Sequence, residues 1–202
     1  MSRYTGPRVR LSRRFGVPLF GPSKYLERRP YPPGTHGPKS RRKHTEYGLG
    51  LIEKQKIRFY YGLAEKQFRG IYQRALRQRG ITGETMLQIL ESRLDNIVFQ
   101  LGFSNTRSGA RQMVGHGHVS VNGRKVNIPS YNVRVNDVVE VRDTSRSRQM
   151  ALRGLEISTS RSVPAWLDLN KDAFRGTLLR IPTLEEIQPI GNVQAVVEFY
   201  SR

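Results

Sequence analysis

No cysteine occurs among the 202 residues. Disulfides are therefore impossible, and thiolate zinc sites and cysteine nucleophiles are excluded. The histidines, His36, His44, His116 and His118, are too few and too scattered to suggest a metal site, so none is expected. Acidic residues are scarce: 16 Asp and Glu stand against 35 Lys and Arg, a formal net charge of +19. A small chain with that charge repels itself when compact and calls for a polyanion, nucleic acid first. An anionic membrane surface is the poorer match. No helix pairs a basic face with a bulky aromatic one. No apolar run approaches the roughly 18 residues of a spanning helix. The opening segment Met1–Arg8 is basic and lacks the apolar core of a signal peptide, which points to the cytosol or an equivalent compartment. Catalytic motifs are missing too: there is no Gly-x-x-x-x-Gly-Lys loop and no Gly-x-Ser-x-Gly elbow. No cofactor is expected. No internal repeat of fixed period is visible. Hydrophobic residues make up 37%, enough for one or two small cores.

What is present begins with a basic tail. Residues 1–46 hold twelve basic side chains against two acids, and seven of the eleven prolines. With no apolar periodicity, this composition predicts a segment that stays solvated in the isolated protein and orders on RNA. Its candidate RNA-binding residues are Arg3, Tyr4, Arg8, Arg10, Arg13, Arg14, Arg28, Arg29, Tyr31, His36, Arg41, Arg42 and Lys43. Arginine forks suit phosphates, and tyrosines stack on bases.

Residues 46–80 read as two helices. Thr45 is the expected N-cap of the first, Leu49, Ile52, Ile57 and Tyr60 give it a partial apolar face, and Gly62 ends it. Phe68, Ile71, Tyr72, Ala75 and Leu76 follow helical spacing in the second, with Gly80 as terminator. Glu53 and Glu65 are the only acids between 47 and 80. That imbalance marks Lys54, Lys56, Arg58, Lys66 and Arg69 as candidate RNA contacts.

Residues 85–103 predict one long helix with a capping box at Thr85–Gln88, an apolar stripe through Leu87, Leu90, Leu94, Ile97, Val98 and Leu101, and Gly102 as its end. A shorter helix follows, capped by Ser104, Asn105 or Thr106. There Arg107 and Arg111 share a face, while Ala110, Met113 and Val114 point inward. Val119 and Val121 alternate with polar neighbours, and Asn122-Gly123 signals a type I′ hairpin. Valines 133–141 supply further strand. Arg93, Arg107, Arg111, Gln112, His116, His118, Asn122, Arg124 and Lys125 complete the candidate RNA-binding set. Residues 143–165 carry weak helical character, and Trp166 reads as a core anchor. Near the end, Ala195, Val197 and Phe199 alternate with Val196, Glu198 and Tyr200, which predicts a strand.

The triplet Arg93-Leu94-Asp95 also occurs around the catalytic aspartate of pseudouridine synthases. Here it falls inside a predicted amphipathic helix, with no large mixed sheet beside it. Asp95 is therefore read as a structural carboxylate bonded to a nearby backbone or basic group.

Glu91–Val98, Ala110–Val114, His116–Val119 and Val121–Gly123 together resemble the RNA-binding module of the small-subunit ribosomal protein four family. Met1–Pro7, Arg28–Gly37, Glu53–Lys56 and Val197–Arg202 are similar to the bacterial and plastid members of that family, nearly end to end. The resemblance implies an α+β fold. A basic N-terminal segment, 1–45, is extended and ordered by rRNA. A helical domain, 46–92, is joined by C-terminal residues from about 186 to 202. An inserted RNA-binding module, 93–185 with its core at 93–142, packs a helix–turn–helix on a small antiparallel sheet. It further implies a non-enzymatic ribosomal protein that enters small-subunit assembly early and holds an rRNA junction in the 5′ domain. Its implied place is near the path by which mRNA enters, beside small-subunit proteins five and three, with an influence on decoding accuracy. It implies the cytoplasm, or a plastid stroma, within the ribosome. Some members carry a zinc-binding cysteine cluster in the N-terminal segment. The corresponding stretch here, Val9-Arg10-Leu11-Ser12, has none, so no zinc is expected and ordering would fall to rRNA. Two other readings remain open at this point: an RNA-modifying enzyme and a stress factor that binds stalled ribosomal subunits.

Overall fold

The computed structural model describes residues 4–39 and 43–202. The chain divides into two compact units: residues up to Met86 together with Gln188–Arg202, and Leu87–Ile187. No helix among the described residues is long and apolar enough to cross a membrane.

The first unit is helical. Its N-terminal segment, for which the resemblance implies an extended course, carries α1 (Arg8–Phe15) and the short α2 (Lys24–Arg28). Leu11, Ser12 and Leu19 are buried there. Arg13 Nε bonds the carbonyls of Arg29 (3.1 Å) and Tyr31 (3.2 Å), and its guanidinium lies 5.0 Å from the Tyr31 ring centre. A few apolar residues and one arginine fork thus supply local order that average composition conceals. Next come α3 (Glu46–Tyr60) and α4 (Glu65–Leu76). The Thr45 side chain accepts from Gly48 N at 3.2 Å and caps α3. Phe68, Ile71, Tyr72 and Ala75 are buried along α4, while Leu76 and, on α3, Leu49 are exposed.

The predicted C-terminal strand is instead a helix, α10 (Val193–Ser201), packed on α3. Asn192 caps it, its side chain accepting from Ala195 N at 3.1 Å. Tyr200 stacks on Tyr72 with 4.7 Å between ring centres and donates to Glu65 Oε1 at 2.8 Å. Lys54 Nζ reaches the same oxygen at 2.7 Å. Burial alone would raise the Glu65 carboxyl, but the bonds from Lys54 and Tyr200 and the charges of Lys54 and Arg58 hold it below the usual carboxylate range. Burial first, then the bond to Glu65, pushes the Tyr200 phenol well up.

The second unit is mixed. The long helix predicted over 85–103 is two, α5 (Thr82–Glu91), whose first residues belong to the first unit, and α6 (Leu94–Gln100). Thr85 is therefore inside α5 rather than at its start, and its hydroxyl bonds back to Ile81 O at 3.1 Å. The break at Ser92-Arg93 is made by a distant strand-like segment. Leu94 N donates to Tyr131 O and Val133 N to Ser92 O, both at 2.8 Å. Asn132 Nδ2 donates to Ser92 Oγ at 3.0 Å. Then follow α7 (Arg107–Gly115), β1 (Val119–Val121), β2 (Arg124–Lys125), β3 (Val138–Val141), α8 (Ser145–Ile157), β4 (Leu167–Asn170), β5 (Arg175–Leu178) and the short α9 (Leu184–Ile187). The five strands form one antiparallel sheet in the order β2-β1-β3-β5-β4. Val119 pairs with Val141 and Val121 with Val139. These valines face a core closed by Leu94, Ile97, Leu101, Met113, Val114 and Trp166. Asn122 and Gly123 both take positive φ, 49° and 77°, the pair a type I′ turn requires.

Candidate nucleic-acid interface

The turn into α6 is built on a buried ion cluster. Arg93 donates to both Asp95 oxygens, from Nε at 3.1 Å and from Nη2 at 2.8 Å. Arg111 Nη1, one helix away, reaches Asp95 Oδ2 at 2.9 Å. The side chains of Arg93 and Asp95 are only 3% and 8% exposed, so this carboxylate is spent inside the protein. That is the structural role expected from its sequence context.

A second network runs beside it. Asn96 Nδ2 donates to Glu91 Oε2 (2.6 Å) and to Glu91 O (3.1 Å). Asn96 Oδ1 in turn accepts from Arg107 Nε at 3.0 Å. The guanidiniums of Arg107 and Arg161 lie 4.4 and 4.0 Å from the Phe99 ring centre. Asp95 and Asn96, adjacent on α6, therefore each hold one arginine of α7. Thr106 caps α7 by accepting from Gly109 N at 3.1 Å, and no acid lies in its first turn. The result is a capped helix whose two arginine guanidiniums are held from within the module, Arg107 through Nε and Arg111 through Nη1.

The structure groups the predicted residues unevenly. On the second unit, Arg107, Arg111, exposed Gln112, His116, His118, Asn122, Arg124 and Lys125 run along α7, the loop after it and the hairpin. Asn122 does backbone work besides, accepting from Val138 N at 2.9 Å and donating to Asp137 at 2.8 Å. Arg93 is buried beneath them.

On the first unit, Arg10, Arg28, Arg29, His36, Lys43, Lys66 and Arg69 are exposed, while Lys54 is buried against Glu65. Lys56 is paired with Glu53 at 2.6 Å. Tyr4 packs edge-on to Phe59 at 5.4 Å, Arg58 lies 4.4 Å from the same ring centre, and Arg8 and Arg14 lie 5.8 and 5.7 Å from Phe20 and Phe15. Tyr31 lies under Arg13. Arg3, Arg41 and Arg42 lie outside the described residues.

Sequence reasoning missed Arg142 and Arg146, which stand beside His118. The signal was available: between Arg142 and Arg153 four arginines face a single acid, Asp143.

A carboxylate consumed by two arginines, a capped basic helix and a cationic hairpin on a small sheet define a class, that of small basic binding modules joined to a helical unit. The profile described as "Ribosomal protein S4/S9 N-terminal domain" matches residues 3–91, and that of the "S4 domain" matches residues 92–139. Small ribosomal subunit protein uS4 of Akkermansia muciniphila is 55% identical over the full length of both chains. The proteins of the same name from Opitutus terrae and Aquifex aeolicus are 54% and 53% identical, again with both chains fully covered. The chain belongs to the uS4 family of small ribosomal subunit proteins.

Proposed function

We propose that this protein is a structural, non-enzymatic constituent of the small ribosomal subunit that binds rRNA and works in the cytoplasm within the ribosome. The observation that carries the reading is α7 with its hairpin: two arginines whose guanidiniums are oriented by Asn96 and Asp95, continued by exposed Gln112, Arg124 and Lys125. Preset cationic groups on a rigid element suit the phosphate pattern of a folded RNA better than they suit a flexible partner. The finer reading follows from the family. The rRNA target is a multi-helix junction in the 5′ domain, engaged early in assembly. The neighbours are small-subunit proteins five and three and the path by which mRNA enters, and the position bears on decoding accuracy.

The test is a titration of the full chain against a transcript of the 5′ domain of bacterial small-subunit rRNA across salt concentrations. With about 8 phosphates neutralised, log affinity falls against log salt with a slope of roughly −6 to −7. A slope shallower than about −3 would overturn the multi-phosphate picture. Crosslinks mapped to nucleotides outside that junction would overturn the target.

A further inference from the structure

Downstream of α7 lies a cationic cluster that the arginine network does not explain. His118 Nδ1 sits 2.9 Å from Ser147 Oγ, and Ser147 Oγ sits 2.5 Å from Thr144 Oγ1. Ser147 is 1% exposed, whereas His118 is half-buried. The groups around that ring are cationic from every element packed against it. Arg142 follows β3, its Nη1 donating to Gly117 O at 3.3 Å and its N–H to His118 O at 2.9 Å. Arg146 lies in the first turn of α8, whose N-terminal N–H groups add positive potential. The His116 ring centre is 6.2 Å away. Lys125 of β2 folds over Gly117, with Nζ 3.2 Å from where a Cβ would stand. The acids of these elements are occupied or distant: Asp143 pairs with Arg148 at 3.0 Å, Glu140 pairs with Arg175 at 2.8 Å, and Glu156 lies at the far end of α8.

Such an assembly is costly to the free protein and favourable to a bound anion. Burial first, then the charges of Arg146, His116 and Arg142, holds the His118 imidazole below its ordinary range. The Thr144–Ser147 hydroxyl pair accommodates either charge state. With neutral His118, Ser147 Oγ–H donates to Nδ1 and Thr144 Oγ1–H donates to Ser147. With imidazolium, Nδ1–H donates to Ser147 Oγ and the serine proton turns toward Thr144. No heavy atom moves, because a hydroxyl both donates and accepts.

Resting on the RNA-binding reading above, the geometry points to a phosphate subsite at His118, lined by His116, Lys125, Arg142 and Arg146, where one RNA phosphodiester binds together with a proton taken from solvent. The phosphate supplies the negative charge that the cluster lacks, and His118 becomes imidazolium as it docks. Affinity for RNA therefore rises as pH falls. One coupled proton gives at most about a tenfold change per pH unit, confined to the interval between the pKa values of the free and bound imidazole.

The experiment uses the full chain and the 5′-domain rRNA transcript. Calorimetry at near-neutral pH is run in buffers of different ionisation enthalpy, and NMR follows the His118 ring with and without RNA. Wild type takes up a proton on binding, and the His118 titration moves upward in the complex. His118→Asn keeps a hydrogen-bonding group at the Nδ1 position. It loses the uptake and flattens the pH profile while still binding at high pH. Glu156→Gln, exposed at the far end of α8 and outside the cluster, retains both the uptake and the pH profile. Uptake unchanged in His118→Asn, or a His118 titration that RNA does not move, overturns the proposal. Inorganic phosphate titrated without RNA is the other arm. A full shift of His118 at phosphate concentrations that leave RNA binding intact would assign the site to free phosphate and also overturn it. A wild-type chain that binds the transcript at no pH defeats the RNA reading itself, a separate failure.

Discussion

Removing Asp95 should damage the second unit more than removing either arginine it holds. Arg93 is 97% buried at its side chain, and it donates to the two Asp95 oxygens at 3.1 and 2.8 Å. Asp95→Ala leaves that guanidinium charged without its carboxylate, a change that costs about 3–5 kcal/mol. Arg93→Met is milder, because Asp95 keeps Arg111 at 2.9 Å. Its cost is that of lost bonds to a charged group, about 1.5–3 kcal/mol. The assay is urea unfolding followed by Trp166 fluorescence. Trp166 is the only tryptophan, is 2% exposed and lies in the core of the second unit, so it isolates that unit's transition in a chain with two. With a urea dependence of about 2 kcal/mol per molar, Asp95→Ala lowers the midpoint by about 1.5–2.5 M. In equilibrium terms that is roughly two to four powers of ten. A shift below about 0.3 M, or a larger loss in Arg93→Met than in Asp95→Ala, would sink the argument that Asp95 neutralises a buried charge.

Replacing Arg107 and Arg111 together by Ala should reduce the salt slope of rRNA binding by roughly 2, one per lost phosphate contact. The Trp166 midpoint should fall less than in Asp95→Ala; an equal fall would make these arginines supports and not contacts. Tyr200→Phe removes the bond to Glu65 and should loosen α10 by about 1 kcal/mol, read as faster amide exchange in 193–201. The Glu65 carboxyl is lowered in the folded protein, so its contribution is present above the ordinary carboxylate value of 4.5 and is lost as pH falls below it. The Tyr200 phenol is raised, so its contribution persists until pH climbs past 10. Exchange in α10 that is flat across the acid limb would refute the Glu65 link. Gly154 is buried in α8 where an added Cβ would run into the Phe103 carbonyl. Gly154→Ala should therefore cost about 1–3 kcal/mol on the Trp166 transition, and a neutral result would show that α8 shifts freely.

What was legible in the sequence was what local chemistry decides. Asn122-Gly123 demanded a turn whatever surrounded it, and Thr45 and Thr106 capped the helices they precede. The break at Ser92-Arg93 was not legible, because it is imposed by residues 131–133, far along the chain. α10 was misread because its apolar residues fit two periods. Ala195, Val197 and Phe199 alternate, yet Val193, Val196, Val197 and Tyr200 also follow helical spacing, and packing on α3 chose between them. The tail's order escaped a reading by composition because it depends on a few contacts such as the Arg13 fork. Among the candidate contacts, charge counting could not tell Lys54 and Arg93, enclosed with acids, from Arg124 and Lys125, which reach water. Their burial is set by the tertiary fold.

The first unit draws on both ends of the sequence, whereas the second is one uninterrupted stretch. Synthesis therefore delivers residues 87–187 whole before α10 leaves the ribosome making it. The module is free to fold, and to begin gripping RNA, while the face of α3 at Tyr47 and Gly50, on which Phe199 packs, still waits for its cover. Closure of the helical unit therefore comes only after the module has emerged, and any pause in translation before Val193 prolongs the interval in which that face is open to other contacts.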